Sequence, residues 1–310
     1  MPHPHPKGPA LDHAIHFISG LPRSGSTLLS AILRQNPRFH AGMSSPVASL
    51  FLAMQGATSR RNEGAVFLDE AQKIELLRGV FRGFYHAHPA EQTIFDTNRA
   101  WCSKMPALTR LFPEARVICC VRHVGWIMDS IERLIRANPF ELSGIFNYEP
   151  SNTVFTRVAR LAHSDALVGF ALDALREAFF GDQADRLILV SYEALASEPE
   201  RTMRTLYDFL GEDWHPHDFD NVEYAADDFD MGLGTPGLHT VRRKVEFRER
   251  RTVLPPDLFA RFEGDAFWTR PELNARGVPV ILPSGAASPV QGFAQGPGQR
   301  FAATPFGARP

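Results

Sequence analysis

The segment Gly20-Leu-Pro-Arg-Ser-Gly-Ser-Thr27 constrains this chain more than any other stretch. Its glycine spacing, closed by Ser-Thr, suits a turn whose backbone N–H groups converge on an anion. An apolar, strand-like run at 14–19 precedes it, and a helix-like run at 28–34 follows, stopped by Asn36-Pro37. An anion-gripping turn between strand and helix adds a helix dipole to the cradle. That order predicts an α/β fold: a P-loop-type parallel sheet flanked by helices. Thr93–Thr97 reads as another strand end, and Val117–Val121 and Leu187–Val190 as strands, apolar runs bounded by charge that each lead into helix-like sequence. Alternation of this kind implies right-handed crossovers.

The loop departs from the nucleotide-triphosphate pattern at one position. Ser26 stands where G-x-x-x-x-G-K-[ST] requires lysine. A triphosphatase needs that lysine on the β- and γ-phosphates, and a Mg²⁺ held by an acidic residue. Here the loop's own cation is Arg23, and Asp96, at the end of a short strand, is the nearest acid. A sulfuryl group carries less charge than a terminal phosphoryl group, so fixed cations can neutralise its leaving phosphate without metal. The pattern favours sulfuryl transfer. A P-loop kinase or nucleotide-binding protein with a degenerate loop is the alternative.

Composition sets outer limits. With 310 residues, 44 % hydrophobic and 22 % charged, the chain can bury one sizeable core. A net charge of −2 argues against a nucleic-acid binder and against a polybasic membrane anchor. The three cysteines, Cys102, Cys119 and Cys120, read as reduced thiols of a cytoplasmic protein. The start has no signal-peptide pattern, and no apolar run approaches the ~20 residues of a spanning helix. The expected organisation is a flexible tail over 1–12, a single domain over 13–282, and a disordered Pro/Gly/Ala-rich tail over 283–310.

Three helical regions are expected. Ser197 and Glu200 form a capping-box pattern, with Pro199 in the first turn and Gly211 as the stop. Residues 155–180 read as one long helix, and 44–90 as a mostly helical cap beside the site.

Pro22-Arg-Ser-Gly-Ser-Thr-Leu28 resembles the 5′-phosphosulfate loop of sulfotransferases that use 3′-phosphoadenosine 5′-phosphosulfate. Its arginine form is similar to bacterial sulfotransferases and to the tyrosylprotein branch. The resemblance implies a three-layer sulfotransferase sandwich, this nucleotide as co-substrate, and no metal. It places Arg23, Ser24, Gly25, Ser26 and Thr27 around the 5′-phosphate. Arg116-Val-Ile-Cys-Cys-Val-Arg122, followed by Asp129-Ser130, resembles the family's element for the 3′-phosphate, which assigns Arg122 and Ser130 to that group. Where relatives often carry Arg-Asp-Pro or Arg-Asp-Gly, this chain has Arg122-His123-Val124. Leu187-Ile-Leu-Val-Ser-Tyr192-Glu-Ala-Leu195 is similar to the family's Tyr-Glu-x-Leu strand end. Tyr192 is then a cofactor contact or a half-buried strand-end aromatic.

Glycines 232–237 run into a cationic cluster containing Arg242 and Lys244, an arrangement suited to a lid over an anionic nucleotide. The tyrosylprotein branch has a Glu after its loop in a Cys-Gly-Glu-Glu context, where this chain reads Ala41-Gly-Met-Ser-Ser-Pro46. The general base is therefore sought elsewhere. His239 is the first candidate, since histidine titrates near neutrality, and Asp96 is the second. Lys104 is placed near the sulfuryl group by the resemblance. Residues 44–90 and 138–155 are expected to line the acceptor pocket, and their Phe and Leu content points to a small-molecule or lipid-like acceptor.

Overall fold

A computed structural model describes residues 13–150 and 153–285. The expected tail over 1–12 and all but the first three residues of the expected tail over 283–310 lie outside the described residues.

Six strands form the sheet: β1 (Ile15–Gly20), β2 (Phe39–Ala41), β3 (Thr93–Thr97), β4 (Val117–Val121), β5 (Leu187–Ser191) and β6 (Val280–Ile281). Their order is β2-β3-β1-β4-β5-β6, and every pairing is parallel. Each strand of the central four is buried along its whole length, as an apolar run covered on both faces requires. Side chains alternate between two cores. Phe17, Cys119 and Leu189 face a cluster with Phe51, Phe81, Trp101 and Phe179. Ile18, Cys120 and Val190 face another with Leu29, Ile32, Leu206 and Tyr207. The result is a three-layer helix–sheet–helix sandwich.

Topology places the site. From β1 the chain crosses to β2 and β3 on one side, then passes to β4 and β5 on the other. The order therefore reverses at β1, and ligands of open α/β sheets bind outside the strand ends at such a switch point. Gly20 pairs with Cys120, and Val121 with Ser191, so three strand ends open onto one crevice.

Some helical expectations need correction. Residues 155–180 form two helices, Val154–Leu161 and Leu167–Phe180. Gly169 packs so tightly beneath the connection that an added Cβ would lie 2.0 Å from the His163 carbonyl oxygen. The Ser197 capping box does not form. Ser197 ends a short helix, Tyr192–Ser197, with its hydroxyl donating to the Glu193 carbonyl at 2.7 Å. The next helix, Pro199–Leu210, starts after Glu198, with Pro199 at its head and Gly211 closing it at φ +75° as expected. Residues 44–90 are largely helical, over Val47–Ala57 and Glu70–Tyr85 with a 3₁₀ turn between. Phe51, Phe81 and Tyr85 bury this unit against the core around Trp101.

Candidate active site

The anion-binding turn is built from backbone constraints. Gly20 has φ +103°, and a Cβ there would meet the Cys120 carbonyl oxygen at 2.3 Å. Only glycine lets β1 leave the sheet this close to β4. Arg23 adopts a left-handed conformation (φ 57°), and Gly25 (φ 96°) introduces the helix Ser26–Leu33. No side chain caps that helix. Its first-turn N–H groups have no intrahelical partner and open toward the crevice beyond β1. The Ser24 hydroxyl points into the fold, onto the carbonyls of Leu21 and Cys120, the latter at 2.8 Å. Ser24 therefore fastens the turn to β4, and its side chain is not on the site wall.

Arg122 follows β4 directly. Its guanidinium lies 4.1 Å from the centre of the Tyr192 ring, and its Nε is 3.3 Å from Glu193 Oε1. Ser130 sits one turn and a half into the helix Val124–Ala137, where its Oγ accepts from Arg23 Nε at 3.1 Å. Tyr192 also backs the turn, because a Cβ on Gly25 would be 3.1 Å from its Cδ2. Tyr192 is half-buried just past the end of β5 and borders the crevice, so it has the features of both readings.

A cavity of about 600 Å³ opens at this point. Arg23, Gly25, Ser26, Thr27, Arg122, Ser130, Tyr192, His239, Arg242 and Lys244 all line it, so most expected site residues converge. Sequence reasoning missed Arg99, which also lines it. Asn98, its side chain accepting from Ala100 N at 3.0 Å, starts a 3₁₀ turn right after β3, and this sets Arg99 at a strand end like Arg122. Arg250 is another wall residue. Its Nη2 is 2.7 Å from Asp129 Oδ2. Asp129, completely buried, also accepts from Arg133 Nε (3.0 Å), Thr252 Oγ1 (3.1 Å) and Val253 N (2.7 Å). One carboxylate thus fastens the end of the basic segment to the helix that carries Ser130.

Among the described residues the wall holds Arg23, Arg99, Arg122, Arg242, Lys244 and Arg250 against a single carboxylate, Glu246. Burial, reinforced by Arg122 and Arg250, pushes the Arg23 guanidinium down to about 10, still protonated at neutral pH. Among the described residues the side chains of Arg99 and Arg242 have no polar partner. Such a cluster repels itself until a polyanion enters.

Two expected residues are elsewhere. Asp96 is completely buried, accepting from Ser45 Oγ (2.6 Å), Tyr85 OH (2.5 Å) and Trp101 Nε1 (2.7 Å). Burial raises its carboxyl, all its donors are structural, and it does not border the cavity. Its place is in the scaffold, not in proton transfer. Lys104 closes the 3₁₀ turn that Arg99 opens, away from the cavity wall. Lys244 reaches the wall but gives its Nζ to Asp220 at 2.8 Å. Of the segments expected to line the acceptor side, 44–90 supplies Ser44 and 138–155 supplies Gly144 and Ile145. The apolar wall comes instead from Ile131, Leu167, Phe229, Leu233 and Leu238.

His239 lines the cavity with its ring held by Asp230 at 2.5 Å. Burial lowers its pKa, Asp230 opposes that, and Arg23 and Arg99 add to the lowering.

A glycine turn at a sheet switch point, facing a crevice ringed by guanidinium groups, has the form of a P-loop with Ser26 at the lysine position and Arg23 as the loop's own cation. Residues 16–216 match the model of the Sulfotransferase family, and the chain belongs to that family. It is 29 % identical over 212 residues to protein-tyrosine sulfotransferase 1 of Danio rerio, covering 66 % of this chain and 55 % of that protein. Identity to the Homo sapiens protein of the same name is also 29 %, covering 66 % of this chain and 53 % of the relative. The chain thus spans about half the length of these relatives. Among solved structures, the sulfotransferase domain from the curacin biosynthetic pathway superposes with a TM-score of 0.46 at 16 % identity, over 81 % of this chain and 90 % of that one. The kinase alternative is not favoured, since the family match covers the loop in which Ser26 replaces lysine.

Proposed function

We propose that this protein transfers a sulfuryl group from 3′-phosphoadenosine 5′-phosphosulfate to a hydroxyl or amine acceptor by in-line displacement. The carrying observation is the convergence of Arg23 and the uncapped helix start with Arg122, Ser130 and Tyr192 on one cavity. The first set suits the 5′-phosphosulfate and the second the 3′-phosphate. Relief of repulsion among the cations favours a ligand with two anionic ends.

In this reading Ser26, Thr27 and the turn's N–H groups hold the 5′-phosphate, while Arg23 offsets the charge that grows on the leaving oxygen. Arg99 takes the place beside the sulfuryl group that was expected of Lys104. His239 removes the acceptor's proton. Arg242 closes over the nucleotide, and Lys244 joins it once released from Asp220. The acceptor lies against Phe229, Leu233, Leu238, Ile145 and Leu167, a wall that suits an apolar small molecule or a lipid-like alcohol. We place the reaction in the cytoplasm, a reading supported by three buried free thiols.

The test is turnover of sulfur-labelled donor with long-chain alcohols, phenols and a tyrosyl peptide. Label should pass to an apolar alcohol or phenol with release of adenosine 3′,5′-bisphosphate. Phosphoryl transfer from ATP–Mg²⁺, with no label transferred, would contradict the reading.

A further inference from the structure

We infer that Asp230 is a positioning residue that holds His239 in the one tautomer able to accept a proton from the acceptor. The inference rests on the sulfuryl-transfer reading above, and adds to it a residue that no motif pointed to.

The geometry is specific. Asp230 is 1 % exposed, on the short helix Asp227–Gly232. Its Oδ1 lies 2.5 Å from His239 Nδ1, and its Oδ2 accepts from the His239 backbone N–H at 2.8 Å. A carboxylate has no proton to give, so Nδ1 carries the hydrogen and Nε2 keeps its lone pair. Both carboxylate oxygens serve the same residue. One fixes the ring and the other fixes the backbone from which the ring projects. Phe229, next to Asp230 on the same helix, packs its ring edge-on at 5.6 Å from the imidazole centre.

The unit is anchored as a body. Thr235 N donates to the Asp230 carbonyl at 3.0 Å, Gly144 N to the Leu233 carbonyl at 2.8 Å, and Tyr148 OH to the Gly232 carbonyl at 3.1 Å. Ser143 and Thr235 hydroxyls meet at 2.5 Å. His239 is therefore set against the cavity by a framework, not by a loose loop.

The charged groups facing the imidazole are Asp230 from its own segment, Arg23 from the anion-binding turn and Arg99 from the turn after β3. Burial, with the two guanidinium groups, lowers the pKa of the ring, and Asp230 opposes that by stabilising the imidazolium. In the transfer, Nε2 takes the proton as the acceptor oxygen bonds to sulfur. The sulfur–oxygen bond to the leaving phosphate breaks, and its electron pair departs with adenosine 3′,5′-bisphosphate. The imidazolium then returns the proton to water.

Asp230→Asn separates positioning from bulk structure. An amide offers one acceptor where two N–H groups need one each, so the ring or the backbone of His239 loses its partner. If the amide NH₂ turns to Nδ1, it selects the tautomer with hydrogen on Nε2, which cannot accept a proton. The variant should lose roughly 100- to 1,000-fold in kcat, with KM for the donor and affinity for adenosine 3′,5′-bisphosphate changed less than about two-fold. His239→Ala should lose a similar factor, and the double variant no more than either alone. Nitrogen NMR of the histidine rings adds a reading on the wild-type protein itself, where His239 should carry its hydrogen on Nδ1 at neutral pH. Hydrogen on Nε2 in the wild type, an Asp230→Asn kcat within about three-fold of wild type, or losses that multiply in the double variant would each overturn the inference. A wild-type protein without donor turnover would instead overturn the sulfuryl-transfer reading beneath it.

Discussion

Arg23 Nε donates to Ser130 Oγ across 3.1 Å, joining the turn after β1 to the helix after β4. The residues assigned to the two phosphates of the donor are thus in contact before a nucleotide arrives. Binding must exchange this bond to a neutral hydroxyl for bonds to a phosphate, which bears the opposite charge and can accept from a guanidinium in bidentate fashion. Ser130→Ala should therefore weaken adenosine 3′,5′-bisphosphate binding by a factor of about 3–10, and calorimetry would measure it.

Arg122 is the charged partner assigned to the 3′-phosphate, with its guanidinium over the Tyr192 ring and its Nε close to Glu193. Arg122→Ala should reduce affinity for adenosine 3′,5′-bisphosphate by about 30- to 100-fold. Affinity for adenosine 5′-phosphosulfate, which lacks the 3′-phosphate, should change little. Equal losses for both ligands would move Arg122 to another role.

Gly20 is where the fold and the site meet. A methyl group there would sit 2.3 Å from the Cys120 carbonyl oxygen, at a φ of +103°. Gly20→Ala should cost about 2–4 kcal/mol through strain in the backbone and separation of β1 from β4. A thermal melt would show a drop of several degrees or more, with loss of anion binding. Gly211, which closes the helix Pro199–Leu210, has no atom within 4 Å of its would-be Cβ, so Gly211→Ala should cost less despite its φ of +75°.

Much of this was legible in the chain. Gly20 to Thr27 announced the turn, and the apolar runs at 117–121 and 187–190 announced the central strands, because burial on both faces leaves an unbroken hydrophobic signature. Arg122, Ser130 and Tyr192 were singled out by resemblance to the family's motifs, and all three border the cavity. β2 and β6 were not, at three and two residues, since so short a run carries no period. Asp96 was misplaced because a carboxylate at a strand end looks the same whether it faces a cavity or a Tyr85–Trp101 core. Arg99 and Asp230 stayed hidden for a different reason. Each acts through a turn that sequence does not orient, and Asp230 finds His239 only after the chain folds back over nine residues.

Histidine burial gives the stability a direction with pH. His16, His40 and His217 are each pushed from 6.5 down to about 4, chiefly by burial, and His16 uses Nδ1 to accept from Arg116 N at 3.0 Å. Between those values the unfolded chain binds more protons than the folded one, so stability rises with pH through this window. The melting temperature should be highest above pH 6.5 and fall steadily toward pH 4. His16→Gln, which keeps an acceptor without a titrating ring, should flatten part of that slope.

Asp129 tests whether the basic segment must be fastened to work. It is buried and serves Arg133, Arg250, Thr252 and Val253 together. Asp129→Asn should destabilise the fold by about 1–3 kcal/mol, because a buried amide offers one acceptor oxygen where four donors meet the carboxylate. Bisphosphate affinity should fall as Arg250 loses its place. A melt and a titration on the same sample would check both.

The most direct test of the account is calorimetry of the wild-type protein with adenosine 3′,5′-bisphosphate in the presence of EDTA, set beside ATP–Mg²⁺. The account predicts tight, metal-independent binding of the bisphosphate and little heat from ATP–Mg²⁺, with the bisphosphate signal lost in Arg23→Ala. Preference for ATP–Mg²⁺, or bisphosphate binding indifferent to Arg23, would contradict it.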